Sequence, residues 1–364
     1  MQANEQLRRT IWRVDDDSVG IIDQTQLPHR FETRCLTQLG EMIEAIATMR
    51  VRGAPLIGAA AAYGLALAMR ENASDAALLR AAEALNNSRP TAVNLAWAVA
   101  RCRAALAPLP EAQRPAAAWI AADAIAEEDV RQNRALGEHG LALLKRAAAK
   151  AGGRPLTILT HCNAGWLATV EWGTATAPIY LAHAAGIALH VYVDETRPRN
   201  QGAALTAWEL GRQGVPHTVI ADNTGGHLMQ HGLIDMVIVG TDRTTATGDV
   251  CNKIGTYLKA LAAHDNGVPF YVAAPSPSID FSLDDGIRDI PIEQRPGREM
   301  THMQGLTEAG EIATVRIVPE GSAVANYAFD VTPARLVSGL ITERGVIAAT
   351  REALAATFPE RARP

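Results

Sequence analysis

A thiol, several carboxylates and a scatter of guanidinium groups stand where short apolar runs end, and these types suit acid–base chemistry on an anionic substrate. Cys162 closes LTILTHC (156–162), Asp194 to Arg197 close LHVYVDETR (189–197), and Asp222 falls in HTVIADN (217–223). Asp242 and Arg243 end MVIVGTDR (236–243), and a fifth run, FYVAAPS, covers 270–276. An acid walled by apolar groups has its pKa raised towards neutrality and serves as general acid or base. For Asp242 the alternative is a structural Asp–Arg pair or a helix cap. A thiol at a strand-to-turn junction faces a pocket, with following amides available to lower its pKa. The competing reading is that free cysteine commonly fills core space. Polar His161, Asn163 and Gly165 around Cys162 are not needed for packing, and they favour the functional reading.

Anion binding has its own candidates. After Asp242 the chain reads TTATGDVCNKIGTY, where Gly248 precedes an expected helix. First-turn amides of that helix, with Lys253 close by, would cradle a phosphate. RVRGAP (50–55) places two arginines and Gly53 before another helix, which suits bidentate phosphate contacts with close backbone approach. An Arg-Gly turn with no ligand is the plainer reading. Arg89 in SRPT is ambiguous in the same way, a surface arginine being the default. In DETRPRNQG, Glu195, Arg197 and Gln201 suit sugar hydroxyls, with a salt-bridged loop as the alternative. Neither GxGxxG nor GxxxxGK[ST] follows any of the runs, so no dinucleotide fingerprint or P-loop is present. There is no HExxH motif, and the four cysteines (Cys35, Cys102, Cys162, Cys251) lack zinc spacing. A metal site is not expected, and the thiols are expected to be reduced in a cytosol. Taken alone, these residues describe an enzyme for a small phosphorylated molecule, using one acid and one thiol with no built-in cofactor.

The elements that must position these groups are legible. Runs of consecutive Ile, Val and Leu read as strands buried on both faces, the condition of a parallel sheet covered by helices. Ligands of such sheets bind beyond the carboxyl ends of the strands, where the polar clusters fall. Ahead of them, 11–23 reads as two short strands around a turn. Helical patterns follow near 36–49, 56–69, 75–86, 91–107 and 111–149; the fourth is expected to be capped by Ser88 and started by Pro90. Gly152-Gly153-Arg154-Pro155 breaks the chain before the first buried strand. The fold class is therefore α/β: a mainly helical N-terminal domain with a short β element (1–130), then a Rossmann-like parallel-sheet domain (131–364). The charged segment 280–312 is the expected excursion or flexible loop. A net charge of −5 and the lack of a basic run with aromatics speak against nucleic acid. No stretch is long and apolar enough for a membrane span, MQANEQLRRTIW has no signal core, and the expected location is cytoplasmic.

Several longer segments carry a resemblance. RGAPLIGAAAAYG (52–64), SRPTAVNLAWA (88–98), LTHCNAGWLAT (159–169), ETRPRNQGAALTAWEL (195–210), GTDRTTATGDVCNKIGTY (240–257) and NYAFDVTPARLVSGLITERGV (326–346) closely resemble the methylthioribose-1-phosphate isomerase family. A larger group around that family includes ribose-1,5-bisphosphate isomerase and the regulatory subunits of the translation factor eIF2B. The resemblance implies a homodimer acting on a small sugar phosphate in methionine salvage, without cofactor, metal, nucleic acid or membrane. It implies Cys162 and Asp242 as the catalytic pair. By the same resemblance Arg52, Gly53, Ala54, Arg89, Gln201, Asn252 and Lys253 fall on substrate-binding positions. Alternatives within the group are an isomerase for 5-deoxyribose 1-phosphate or ribose 1,5-bisphosphate, and a non-catalytic regulatory subunit. A methylthio group would need an apolar slot, for which Trp166, Leu167 and Val170 are candidates, although each is equally a candidate core residue.

Overall fold

The computed structural model describes residues 9–89 and 93–361. Three short strands, β1 (Ile11–Arg13), β2 (Val19–Ile22) and β3 (Thr33–Leu36), form an antiparallel sheet at the start. Helices α1 (Leu39–Ala47), α2 (Ala54–Glu71), α3 (Asp75–Ser88), α4 (Val93–Leu106) and α5 (Arg114–Lys150) follow. α2 is buried on nearly every side from Ala54 to Met69, as expected of a helix with no polar face. Its alanines and glycines permit that: a Cβ on Gly58 would meet the Asn94 backbone of α4 at 3.0 Å. Ser88 does not cap α4 as expected. It ends α3, its hydroxyl donating to the Leu85 carbonyl, while Pro90 lies outside the described residues.

β4 (Leu156–Thr160), α6 (Ala177–Ala184), β5 (Leu189–Asp194), α7 (Ala207–Arg212), β6 (His217–Ile220), α8 (Thr224–Gln230) and β7 (Met236–Val239) then alternate. β8 (Arg243–Thr245) and β9 (Val250–Lys253) make a hairpin, α9 (Thr256–Asp265) leads to β10 (Phe270–Ala273), and β11 (Ile279–Asp280) is a brief strand beside β8. A second hairpin, β12 (His302–Leu306) and β13 (Ile312–Arg316), precedes β14 (Phe329–Thr332), β15 (Gly339–Thr342) and β16 (Gly345–Ile347). The main sheet runs β16-β15-β10-β7-β4-β5-β6, parallel except for the β16 edge. Neighbouring residues serve opposite faces, as the period of two requires. Ile158, Ile238 and Ile341 join a core with α5 and α6, while Leu159, Val237, Val239 and Leu340 join one with α9 and the C-terminal helix Arg351–Thr357.

The five apolar runs are these strands, with one departure. β6 is only partly covered because it forms the sheet edge, so its residues are not buried on both faces. α5 continues unbroken past residue 130. Its Trp119, Ile125 and Ala126 pack with the N-terminal helices, and its Leu136, Leu143 and Leu144 pack with the main sheet. The chain after β4 builds outward through β5 and β6 on one side and through β7 and β10 on the other. The order of strands therefore reverses between β4 and β7, where open α/β sheets place their ligand crevice.

Candidate active site

Cys162 follows β4 and Asp242 follows β7, the two strands at that reversal. The two side chains line one small cavity with Met49, Arg52, Gly53, Arg89, Gln201, Lys253, Arg295, Ala328 and Phe329. An adjoining cavity shares Gly53, Arg89, Asp242 and Phe329 and adds Ala54, Ile57, Arg243, Cys251, Ile290 and Pro291. Residues more than two hundred positions apart thus converge on one spot. Eight of the sequence-derived candidates, Arg52, Gly53, Ala54, Arg89, Cys162, Gln201, Asp242 and Lys253, line one cavity or the other. Asn252 lines neither; it is buried, and its amide donates to Thr256 Oγ1 at 3.0 Å.

The loop carrying Cys162 is held from several directions. Cys162 takes a left-handed backbone conformation, φ 64°, its N–H donating to Thr196 Oγ1 (2.9 Å) and its carbonyl accepting from Thr206 Oγ1 (2.8 Å). Conformations of this kind cost energy in non-glycine residues and persist where the surroundings fix them. Asn163 carries the order to Arg52, whose guanidinium donates to the Asn163 side-chain oxygen at 2.5 Å and carbonyl at 2.8 Å. Asn163 is itself oriented by donating to Thr206 Oγ1 (3.1 Å) and Glu209 Oε1 (3.0 Å). The buried Glu209 carboxylate also accepts from the backbone of Trp166 and Leu167 and from the Tyr180 hydroxyl. Gly53 starts α2 with φ 100°, and a Cβ there would stand 2.6 Å from the Ala168 backbone. Only glycine brings the α2 start this close to the Cys162 loop.

Electrostatics suit proton transfer beside an anion. Burial pushes the Asp242 carboxyl above its ordinary value, and the cations Arg52, Arg89 and Lys253 pull it back only in part. The group therefore keeps a proton to higher pH than an exposed aspartate does. Burial likewise pushes the Cys162 thiol up, against the pull of Arg52 and Lys253, so the neutral thiol is favoured. Lys253 is drawn below the usual ammonium value by burial.

Several expectations change in the structure. The helix after Asp242 begins at Thr256 rather than just after Gly248, because β9 intervenes. Its start is also occupied: Asp330 accepts from the N–H groups of Gly255 (2.7 Å) and Tyr257 (3.1 Å), leaving side-chain cations to meet a phosphate. Asp194 and Asp222 do not reach the cavities. Asp194 binds His161 Nδ1 (2.8 Å) and Lys259 Nζ (3.2 Å) beneath the Cys162 loop, and Asp222 accepts from the N–H groups of Thr196 and Arg197. His161, Asp194 and Asp222 are close enough to hold a metal ion, but the Lys259 ammonium already supplies positive charge there. His227 and His231 stand one turn apart, with ring centroids at 4.3 Å; among the described residues no third ligating group joins them. Arg197 donates to the Pro198 and Met300 carbonyls, and Glu195 lines neither cavity. Trp166, Leu167 and Val170 are core residues, so the apolar cavity walls are Met49, Ile57, Ile290, Pro291, Ala328 and Phe329 instead. Arg295 was not among the sequence candidates. It sits in QRPGRE within the charged segment, and nothing in its local spacing separates it from a surface arginine.

The family model described as Initiation factor 2 subunit family matches residues 50–349. The chain is 67% identical over 354 residues to a methylthioribose-1-phosphate isomerase of Methylocella silvestris, covering 97% of each. It matches the crystal structure of 5-methylthioribose 1-phosphate isomerase from Pyrococcus horikoshii with TM-score 0.82 and 40% identity, covering 97% of this chain and 96% of that one. The structure described as translation initiation factor eIF-2B subunit delta from A. fulgidus matches with TM-score 0.79 and 39% identity, covering 97% and 99%.

Proposed function

The chain belongs to the Initiation factor 2 subunit family, and on that premise we propose that it is an aldose–ketose isomerase converting 5-methylthioribose 1-phosphate into 5-methylthioribulose 1-phosphate in methionine salvage. The observation that carries the reading is the single cavity lined by Cys162, Asp242, three candidate phosphate cations and Gln201. The anomeric carbon of the substrate is blocked by its phosphate, so the ring cannot open to a free aldehyde. Asp242, holding its proton, donates it to the ring oxygen as the C1–O bond breaks. Hydrogen passes from C2 to C1, and the C2 hydroxyl returns a proton to the Asp242 carboxylate as the ketone forms. Every atom and electron is accounted for within the substrate and one carboxyl group, so the reaction is redox-neutral. With its thiol pushed up by burial, Cys162 is a neutral group in the site, which favours direct hydride movement over abstraction by a resting thiolate.

Arg52, Arg89 and Lys253 hold the phosphate, Gln201 bonds a sugar hydroxyl, and Met49, Ala328 and Phe329 receive the methylthio end. The same reading divides the chain into a helical domain (1–130) and a Rossmann-like catalytic domain (131–364), in a cytoplasmic homodimer. Among the described residues no helix is long and apolar enough to cross a membrane. The test is turnover of 5-methylthioribose 1-phosphate, 5-deoxyribose 1-phosphate and ribose 1,5-bisphosphate by the purified protein, followed by phosphorus NMR. Preference for the methylthio sugar is expected. Preference for either other sugar reassigns the substrate, and turnover of none overturns the isomerase reading.

A further inference from the structure

The cavity holding Cys162 and Asp242 measures about 40 Å³ and its neighbour about 30 Å³. A single water needs about 10–15 Å³ on this measure, so the cavities take a few waters between them. Part of the wall comes from one short segment of the chain. The segment 290–301 supplies Ile290, Pro291 and Arg295 to that wall, and no residue from 291 to 301 is buried. Polar contacts rather than apolar packing hold it: Glu299 pairs with Arg199 (3.0 Å), the Arg295 N–H donates to the Asn326 carbonyl and the Ala328 N–H to the Glu293 carbonyl (2.9 Å each), while Arg295 pairs within the segment with Glu299 (2.7 Å) and Glu293 (2.8 Å).

Glu293 occupies a telling position. Its Oε1 lies 2.8 Å from Arg295 Nη1 and its Oε2 lies 3.6 Å from Arg89 Nη2, so one carboxylate stands between two guanidinium groups of the site. Oε2 is sealed from solvent without a hydrogen bond, and so is Arg89 Nε. Sealed charged atoms without hydrogen bonds forgo hydration for little return. A phosphate monoester, with three peripheral oxygens spread tetrahedrally, has the acceptors that a planar carboxylate lacks at this spot.

We propose that Glu293 is an internal stand-in for the substrate's phosphate. In the empty protein it neutralises Arg89 and Arg295; the phosphate dianion displaces it and recruits Arg295 as a further phosphate-binding cation beside Arg52, Arg89 and Lys253. The identity of the substrate rests on the isomerase reading; the displacement itself does not. Because only a competing anion dislodges Glu293, the unphosphorylated sugar does not open the site. Glu293 thereby makes the phosphate a condition of entry.

The test uses the full-length protein with inorganic phosphate as the probe, titrated by calorimetry into wild type, Glu293→Gln and Arg295→Met. Removing the internal competitor raises the fraction of binding-competent protein, so Glu293→Gln is expected to bind phosphate about tenfold tighter and to show a correspondingly lower KM for 5-methylthioribose 1-phosphate. Arg295→Met is expected to bind phosphate at least about tenfold more weakly, since it loses one charge-assisted contact. Should Glu293→Gln fold poorly, Glu293→Asp keeps the charge but withdraws it from Arg89, and a smaller change in the same direction is expected. Phosphate binding by a folded Glu293 variant that is unchanged or weaker overturns the proposal. So does unchanged binding by Arg295→Met. A wild type that binds phosphate and turns over no sugar overturns the isomerase reading instead, and the phosphate titrations still decide the role of Glu293.

Discussion

Two side chains of modest chemistry become specialised here through where they stand. Asp242 is an ordinary carboxylate by type, yet burial outweighs three nearby cations and keeps it protonated above the usual range. A raised pKa in the folded protein means that the acid form is present below that value and is lost as pH rises through it. The kcat–pH profile of the isomerase is accordingly expected to have an alkaline limb set by Asp242. Asp242→Asn removes the transferable proton, so kcat is expected to fall by about 10²–10⁴-fold while thermal melting shows an intact fold. Turnover near wild type in that variant would remove Asp242 from the chemistry. For Cys162 the raised thiol makes a different statement: the role proposed for it falls to a neutral group on a left-handed turn, not to a standing thiolate. The proposed displacement of Glu293 belongs to this scale too, because it turns on the partners of single oxygen atoms.

At the scale of elements, legibility in the sequence follows from how local each signal is. Buried strands declare themselves by continuous apolar runs, and all five runs are strands of the main sheet, β6 differing only because an edge strand has one neighbour. Cys162 and Asp242 were visible because strand tips in such sheets are predictable places for chemistry. The occupied start of α9 was not, since its partner Asp330 lies seventy-odd residues away and enters only when β14 pairs with β9. Arg295 was missed for a similar reason: the cavity selects it through tertiary placement, and its local sequence looks like solvated loop. Asp194 and Asp222 share the position of Asp242 at strand tips, but they face the Lys259 network beneath the loop. Gly53 shows an element-level dependence that can be tested. Alanine there meets both a positive φ and the Ala168 backbone at 2.6 Å, so α2 must draw back from the Cys162 loop. Gly53→Ala is expected to cost about 2 kcal/mol or more in stability and to raise KM through the displaced Arg52. A variant with wild-type melting and KM would show that the α2 start adjusts without disturbing the site.

Considered as a whole molecule, the chain carries a net charge of −5 yet directs Arg52, Arg89, Lys253 and Arg295 into one small space. Two of those cations precede α5 and two follow it, so the positive site exists only in the assembled fold. The surface repels a dianionic substrate weakly at long range, and the site attracts it strongly at short range. Salt acts on both. The Debye length is about 10 Å at 0.1 M, so surface repulsion between well-separated charges is screened early, whereas buried pairs are screened much less. Added anions also compete for the cavity cations directly. The second effect is expected to win, with KM rising severalfold between about 0.05 and 0.5 M sodium chloride while kcat changes little. The comparison that checks it is the same titration with a bulky sulfonate salt, which screens equally but is too large for the cavity. If competition at the site governs, chloride raises KM and the sulfonate does not; equal effects of the two would place the control in the general field of the protein.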